Sequence, residues 1–461
     1  MTLIKSISGI RGTIGGAPGQ GLTPVDIVKF VSAFVQLIQE DHPGKKMKFI
    51  LGRDARISGE MVNRLVSGTL MGMGVDVIDA GLSTTPTIEM KVVFEKAHGG
   101  IILTASHNPG QWNALKLLNN RGEFINAEEG ERLLKMADDS NYRYSEVGNL
   151  GSYTADKRAM DEHIKAILDL PLVDANLIRS RQFHVVIDCV NSTGGISLPP
   201  LLKALGVEKV TELYCEPSGV FPHNPEPLPE NLSEIAATVK STGADIGFVV
   251  DPDVDRLAII TEDGDMFGEE YTLVAVADYI LQHKPGNTVS NLSSTAALRD
   301  VTLGAGGRYY ASAVGEVNVV SMMKKVGAVI GGEGNGGIIY PDLHYGRDAL
   351  VGIALFLTYM AGEEAKCSDL RARYPDYYIS KNKIQLSDEI DVDEVLKSVA
   401  EAYAEEEIST IDGLKIIFKG EWVHLRKSNT EPIIRIYAES AGKKKADKLA
   451  QEVINKIKGL I

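Results

Sequence analysis

The stretch TPVDIVKFVSAFVQLIQEDHPGKKMKFILGRDAR, residues 23–56, reads as one helix, one turn and one strand. Thr23 is an N-cap residue type, and Pro24 suits the first helical position, where its missing N–H is not needed. Ile27, Phe30, Val31, Phe34, Leu37 and Ile38 then recur at helical spacing and put an apolar stripe on one face. Lys48-Phe49-Ile50-Leu51 follows as a strand and ends in the polar turn Gly52-Arg53-Asp54-Ala55-Arg56. Outward from there, a helix over about residues 60–73 and strands at 75–78 and 100–103 complete an α/β unit. The scheme restarts at the apolar run 184–189, which enters the turn Asn191-Ser192-Thr193-Gly194-Gly195, and a third start lies near 288–291. Beyond about residue 370 the pattern changes. Two strand-like runs, 422–425 and 433–437, precede a helix with Ala446, Leu449, Val453, Ile454 and Ile457 on one face. Strands alternating with helices predict an α/β protein with largely parallel sheets, and the tail predicts a small α+β domain.

With 461 residues, 44% of them hydrophobic and 24% charged, the chain has the composition of a folded protein of several domains, because one core seldom exceeds about 250 to 300 residues. Lys and Arg number 48 against 62 Asp and Glu, and the net charge of −14 argues against nucleic acid and anionic membrane as partners. Cys189, Cys215 and Cys367 form no CxxC pair, so neither a disulfide framework nor a cysteine zinc site is expected, and a reducing cytoplasm fits. The opening MTLIKSISGIRG lacks the apolar run of a signal peptide. The longest apolar stretch, 349–362, is shorter than the ~20 residues of a membrane helix.

Four stretches carry chemistry. Thr104-Ala105-Ser106-His107-Asn108-Pro109 follows an apolar strand, which places Ser106 near a strand's carboxyl end, where α/β sheets hold ligands. A Ser–His hydrolase dyad fits poorly, since neighbours in an extended chain point to opposite faces and a G-x-S-x-G elbow is absent. Asp251-Pro252-Asp253-Val254-Asp255-Arg256 lies between two apolar strands. Its three carboxylates repel one another unless a cation offsets them, and all-oxygen ligation suits Mg²⁺ or Ca²⁺. An EF-hand is excluded because Arg256 stands at the glycine position and strands replace the flanking helices. Gly331-Gly332-Glu333-Gly334-Asn335-Gly336-Gly337 offers Glu333 and Asn335 among glycines but has no Walker Lys-Ser/Thr. Arg426-Lys427-Ser428-Asn429-Thr430-Glu431-Pro432, followed by Arg435, can fork onto a phosphate. Each stretch taken alone is also compatible with a ligand-free turn.

Taken in order, the four resemble the α-D-phosphohexomutase superfamily, which includes phosphoglucomutase, phosphomannomutase and phosphoglucosamine mutase. The family's TASHNP loop is unchanged at 104–109, its metal loop DGDADR appears as DPDVDR, its sugar loop GExSGH as GEGNGG, and its phosphate loop RpSGTEP as RKSNTEP. SGIRG at 8–12 and GRDAR at 52–56 extend the resemblance over nearly the whole chain. It implies three related α/β domains with mixed, largely parallel sheets plus a smaller C-terminal α+β domain around a central cleft. The expected boundaries are 1–150 with the phosphoserine loop, 151–256 with the metal loop, 257–370 with the sugar loop and 371–461 with the phosphate loop.

By this resemblance Ser106 carries a phosphoryl group and exchanges it with a hexose phosphate through a sugar 1,6-bisphosphate, which also serves as activator. Mg²⁺ is expected on Asp251, Asp253, Asp255 and a phosphoserine oxygen of Ser106. Arg11, Arg256 and His107 are expected to support catalysis, and Lys116 is the candidate proton shuttle. Glu333, Asn335, Arg426, Ser428, Asn429, Thr430 and Arg435 are expected to bind substrate. Gly337 replaces the histidine of the family's sugar loop and Asn335 its serine, while Ala114 stands where glycine is common. The GEGNGG and RKSNTEP variants look most like phosphoglucosamine mutases, so glucosamine 6-phosphate is the expected substrate, with mannose or glucose phosphate as alternatives. The chain is expected to be a monomer or homodimer. Two rivals stay open: an aspartyl-phosphate phosphotransferase built on Asp251-Pro252-Asp253, and a sugar-phosphate-binding protein without catalysis.

Overall fold

The helix expected after Thr23 runs Pro24–Asp41, and its start is a complete capping box: the Thr23 hydroxyl takes the Asp26 N–H while the Asp26 carboxylate takes the Thr23 N–H at 3.2 Å. Its apolar stripe is buried as the spacing predicts, with Ile27, Phe30, Phe34 and Leu37 at most 1% exposed. A computed structural model describes residues 1–6, 9–385, 390–427 and 433–459. These form two units by internal packing, 1–272 with 335–368 and 273–334 with 369–461.

The first unit holds two sheets. The larger has seven strands in the order Leu3–Ser6, Gly9–Thr13, Trp112–Leu118, Gly99–Leu103, Lys48–Arg53, Asp76–Leu82, Tyr153–Ala155. Lys48–Arg53 pairs in parallel with both Asp76–Leu82 and Gly99–Leu103, whereas Trp112–Leu118 runs antiparallel to Gly99–Leu103 and to Gly9–Thr13. The sheet is therefore mixed. The helices Pro24–Asp41, Gly59–Gly72 and Ala127–Asp138 bury its one face in a core around Phe34, Phe49, Val66, Ile101 and Leu115. Thr85–Phe94 packs on Lys48–Arg53 and Gly99–Leu103.

The second sheet has the order Leu257–Thr261, Ile246–Val250, His184–Asp188, Lys209–Leu213. The last three are parallel, and the acidic run turns the chain back so that Leu257–Thr261 is antiparallel to Ile246–Val250. Antiparallel return places both ends of the acidic turn side by side at one sheet edge. The helix Ala349–Gly362 accounts for the longest apolar stretch and is buried all round, from Ala349 to Ala361. Among the described residues no helix is long and apolar enough to cross a membrane.

In the second unit Asn287–Asn291 pairs in parallel with Tyr309–Ser312 and with Ala328–Glu333. Five antiparallel strands follow in the order Tyr378–Gln385, Ile433–Ser440, Glu421–Lys427, Leu414–Phe418, Glu407–Ser409. The helices Val392–Ala402 and Lys443–Lys458 share a core with this sheet through Val395, Val399, Val453 and Ile457. The change of pattern near residue 370 is thus a change from parallel to antiparallel pairing.

Phe34 is fully buried and meets the Phe49 ring edge-on at 5.5 Å. Phe34→Ala is expected to cost about 3 to 5 kcal/mol in chemical denaturation. Ile57→Ala, at a position 75% exposed, is expected to cost under about 0.5 kcal/mol.

Candidate active site

Ser106 sits just past the strand Gly99–Leu103 with φ +49°, in the left-handed region that non-glycine residues adopt only when their surroundings hold them there. The holding group is Arg56. Its guanidinium is fully buried, pairs with Asp54 Oδ2 at 2.9 Å, and donates to the carbonyl oxygens of Ser106, of Asn108 at 2.7 Å, of Pro109 at 2.8 Å and of Trp112 at 3.1 Å. Only a planar, multi-donor cation can serve so many carbonyls at once. Asp54 also accepts from the Thr104 hydroxyl at 2.6 Å, and Thr104 Oγ1 accepts the Ser106 N–H at 2.9 Å. Burial raises the Asp54 carboxyl above its ordinary value, and Arg56 beside it opposes the rise. Arg11 closes the other side of the loop with a 2.8 Å hydrogen bond to Asn108 Oδ1.

The Ser106 hydroxyl donates to Asp251 Oδ2 at 2.5 Å, so the loop meets the acidic turn directly. His107 Nδ1 lies 3.5 Å from the same hydroxyl. The extended-chain argument that separates these neighbours therefore fails, because Ser106 is not extended. Burial, then Arg256 and Arg11, push the His107 imidazole down to about 2 and keep it neutral.

Val254 at φ +62° bends the acidic turn so tightly that Asp251, Asp253 and Asp255 all point inward, each fully buried and with carboxylate oxygens within 4.8 Å of one another. Asp251 Oδ1 accepts the N–H groups of Asp255 and Arg256, both at 3.1 Å. Thr85 donates its hydroxyl to Asp253 Oδ2 at 2.6 Å. Lys116 Nζ bridges Asp253 Oδ2 at 2.6 Å and Asp255 Oδ2 at 3.1 Å, and Arg347 Nη2 reaches Asp255 Oδ2 at 2.7 Å. Burial opposes ionisation of Asp255, but Arg347, Lys116 and Arg256 outweigh it and hold the carboxyl below its usual range. Burial, then the charges of Asp255 and Asp253, push Asp251 well above it. Burial would also lower Lys116, yet Asp253 and Asp255 prevail and raise it, so the ammonium stays charged.

Two oxygens of this turn, Asp253 Oδ1 and Asp255 Oδ1, are buried and have no hydrogen-bond partner among the described residues. An orphaned buried carboxylate oxygen is costly, and two beside a third carboxylate form a hard, all-oxygen donor set that fits Mg²⁺. Glu262, the twelfth position of the EF-hand pattern, instead accepts from Ser368 at 3.1 Å.

Of the residues expected from sequence, Arg11, Ser106, His107, Lys116, Asp251, Asp253, Asp255 and Arg256 thus gather in the first unit. Asn335 belongs to the same unit, and its Oδ1 accepts the Gly337 N–H at 3.2 Å. The next residue shows why glycine fills this loop. Gly336 has φ +82°, and a Cβ there would fall 2.3 Å from the Leu257 carbonyl oxygen. In the second unit Glu333 Oε1 accepts from Asn291 Nδ2 at 2.9 Å and from the Gly315 N–H at 3.1 Å. Arg426 pairs with Asp412 at 2.8 Å, and the exposed Arg435 lies directly opposite it on the neighbouring strand. Ser428, Asn429 and Thr430 lie outside the described residues, as does Ser8.

Four contributors escaped sequence reasoning. Arg56 stood in the quoted GRDAR turn without a role, whereas Thr85 and Arg347 lie in stretches with no chemical signature. Glu226, in the proline-rich loop, comes 3.3 Å from Arg256 Nη1 and 3.9 Å from His107 Nε2.

Comparison with known proteins places the chain in a family over nearly its whole length. Phosphoglucomutase/phosphomannomutase alpha/beta/alpha domains I, II and III match residues 3–143, 161–264 and 268–377, and the C-terminal domain of the same family matches 383–456. A phosphoglucomutase/phosphomannomutase of Thermococcus kodakarensis is 35% identical over 94% of this chain and 95% of its own. A probable phosphoglucosamine mutase of Methanopyrus kandleri is 32% identical over 97% and 96%. The crystal structure of a phosphoglucomutase/phosphomannomutase family protein from Burkholderia thailandensis superposes with a TM-score of 0.84 at 27% identity, covering 98% of this chain and 97% of that one. With all four domains matched in order, the chain belongs to the phosphoglucomutase/phosphomannomutase family of intramolecular phosphotransferases.

Proposed function

We propose that the protein interconverts hexose 6-phosphate and hexose 1-phosphate through a phosphorylated Ser106, with glucosamine 6-phosphate as its preferred substrate. The observation that carries the reading is the meeting of Ser106 Oγ with Asp251 at 2.5 Å, next to two orphaned carboxylate oxygens. A serine hydroxyl beside a cation-seeking oxygen cluster is what reversible phosphoryl transfer requires. The phosphoryl group passes from Ser106 to the free hydroxyl of the sugar phosphate, while Ser106 Oγ keeps the electron pair of the broken bond and ends with the proton that this hydroxyl gives up. The resulting 1,6-bisphosphate returns its other phosphoryl group to Ser106, so nothing is consumed.

Asp251, Asp253, Asp255 and an oxygen of phosphorylated Ser106 would hold Mg²⁺, which when bound offsets charge on the transferring group. The remaining work falls to the chain's own residues. Arg56 and Asp54 fix the loop so that Ser106 Oγ faces the acidic turn. Arg347 and Lys116 keep Asp255 ionised, and Lys116 bridges it to Asp253. Arg11 and Arg256 add positive charge near Ser106, and Glu226 orients Arg256. Arg426 and Arg435 hold the phosphate that is not being transferred, with Ser428, Asn429 and Thr430. Glu333 and Asn335 take the sugar's hydroxyls.

The preference for an amino sugar rests on charge. An ammonium on the second carbon is favoured near a carboxylate, and the sugar loop pairs Glu333 with a neutral Asn335 and glycine in place of histidine. The aspartyl-phosphate alternative gives no part to Ser106 or to the Arg56 cradle. It is the weaker reading.

Ser106→Ala is expected to lower turnover by several orders of magnitude while circular dichroism stays native. The wild-type protein should carry about 80 Da extra mass, borne by Ser106 as acid-stable phosphoserine. Near wild-type activity of Ser106→Ala with bisphosphate supplied would refute the serine carrier. In parallel assays at equal Mg²⁺ and bisphosphate, kcat/KM for glucosamine 6-phosphate should exceed that for glucose or mannose 6-phosphate. A clear preference for either of those would leave the mutase reading standing and remove the amino-sugar one.

A further inference from the structure

Among the described residues, one other group of metal-binding side chains comes as close together as the acidic turn: His163, His344 and Asp348, whose ligand atoms lie within 4.8 Å of one another. They come from three places in the first unit. His163 is on the helix Ala159–Leu168, His344 is in the loop after Tyr340, and Asp348 caps the helix Ala349–Gly362. Both imidazoles aim Nε2 at the same atom, Asp348 Oδ2, from 2.9 Å for His163 and 3.3 Å for His344. The other oxygen, Oδ1, is occupied by the N–H groups of Leu350 at 2.8 Å and Val351 at 3.3 Å, which fixes the carboxylate's orientation.

Each ring nitrogen facing away from Asp348 also has a partner. His163 Nδ1 lies 2.9 Å from Thr87 Oγ1, and His344 Nδ1 lies 3.4 Å from Glu89 Oε2. Thr87 and Glu89 sit on one helix, Thr85–Phe94. Glu89 reaches so far into the cluster that a Cβ on Gly346 would fall 1.8 Å from its Oε2. A ligating histidine commonly has its outer nitrogen held by a carboxylate or hydroxyl, which fixes the tautomer that leaves Nε2 free for the metal.

We propose that His163 Nε2, His344 Nε2 and Asp348 Oδ2 form a second metal site, distinct from the acidic turn, that takes Zn²⁺. Bonds of about 2.0 to 2.2 Å at tetrahedral angles separate ligand atoms by roughly 3.3 Å, close to the 2.9 and 3.3 Å found here. Two imidazoles and one carboxylate select a borderline metal, whereas the all-oxygen acidic turn selects Mg²⁺, so the two sites sort their ions by donor type. The cluster also brackets Arg347, one residue before Asp348, whose guanidinium grips Asp255. A bound ion would brace the loop that delivers that contact.

Co²⁺ titration of the full-length protein, stripped with chelator and held in excess Mg²⁺, tests this. The expected result is one Co²⁺ per chain with the intense visible bands of a low-coordinate ion, displaced by one equivalent of Zn²⁺. Those bands should be lost in His344→Gln and in Asp348→Asn, which keeps an N-cap residue type, and retained in Asp253→Asn. Zn²⁺ should raise the thermal midpoint of the wild type and not that of the two ligand variants. Absence of the bands in the wild-type protein would overturn the site and leave a hydrogen-bonded His–Asp–His cluster. Bands that survive His344→Gln or vanish with Asp253→Asn would overturn it too. Should a variant fail to fold, paramagnetically shifted imidazole protons from two histidines in the wild-type Co²⁺ protein are required, and their absence would contradict the proposal.

Discussion

Three carboxylates buried within five residues set the terms for the rest of the first unit. Isolated charges of one sign taken out of water cost several kcal/mol each, and like charges a few ångströms apart add to that cost. Asp253 and Asp255 are tolerable in a folded chain because cations are brought to them, whereas Asp251 is met by the Ser106 hydroxyl and two backbone N–H groups. Lys116 comes from the antiparallel strand Trp112–Leu118 and Arg347 from the loop before Ala349–Gly362. Compensation is incomplete, since Asp253 Oδ1 and Asp255 Oδ1 keep unmet acceptor capacity, and this remainder is what leaves the turn able to hold a metal ion.

The serine loop is built on the opposite logic, one buried cation serving many neutral acceptors. Arg56 ties carbonyl oxygens from Ser106 to Trp112 to a single guanidinium whose own charge is matched by Asp54. The left-handed backbone at Ser106 would be strained in an isolated peptide, and this web of charge-assisted hydrogen bonds is what keeps it. The Ser106 hydroxyl is thereby delivered to Asp251 by rigid elements, the end of one sheet meeting the edge of another.

Much of this was legible in the sequence because period and punctuation report local structure. Thr23-Pro24 marked a helix start to the residue, and the apolar runs 100–103, 184–189 and 246–250 emerged as buried strands. Antiparallel pairing of Trp112–Leu118 was not legible, since a two-sided buried strand looks the same in either direction. Nor were Arg347 and Thr85, which act only because distant segments converge. Lys116 was found in sequence, but its ion pairs with Asp253 and Asp255 were not. Ser106 and His107 were judged on an extended chain that the positive φ at Ser106 replaces.

The most direct test of the account is Mg²⁺ affinity measured calorimetrically on the phosphorylated and dephosphorylated forms of the protein. If the acidic turn and phosphorylated Ser106 share one ion, the added phosphate, with a charge of about −1.5 to −2, should tighten Mg²⁺ binding about tenfold or more, and Asp253→Asn should weaken binding in both forms. Equal affinity in the two forms, or unchanged affinity in Asp253→Asn, would contradict a shared metal site at the meeting of the two loops.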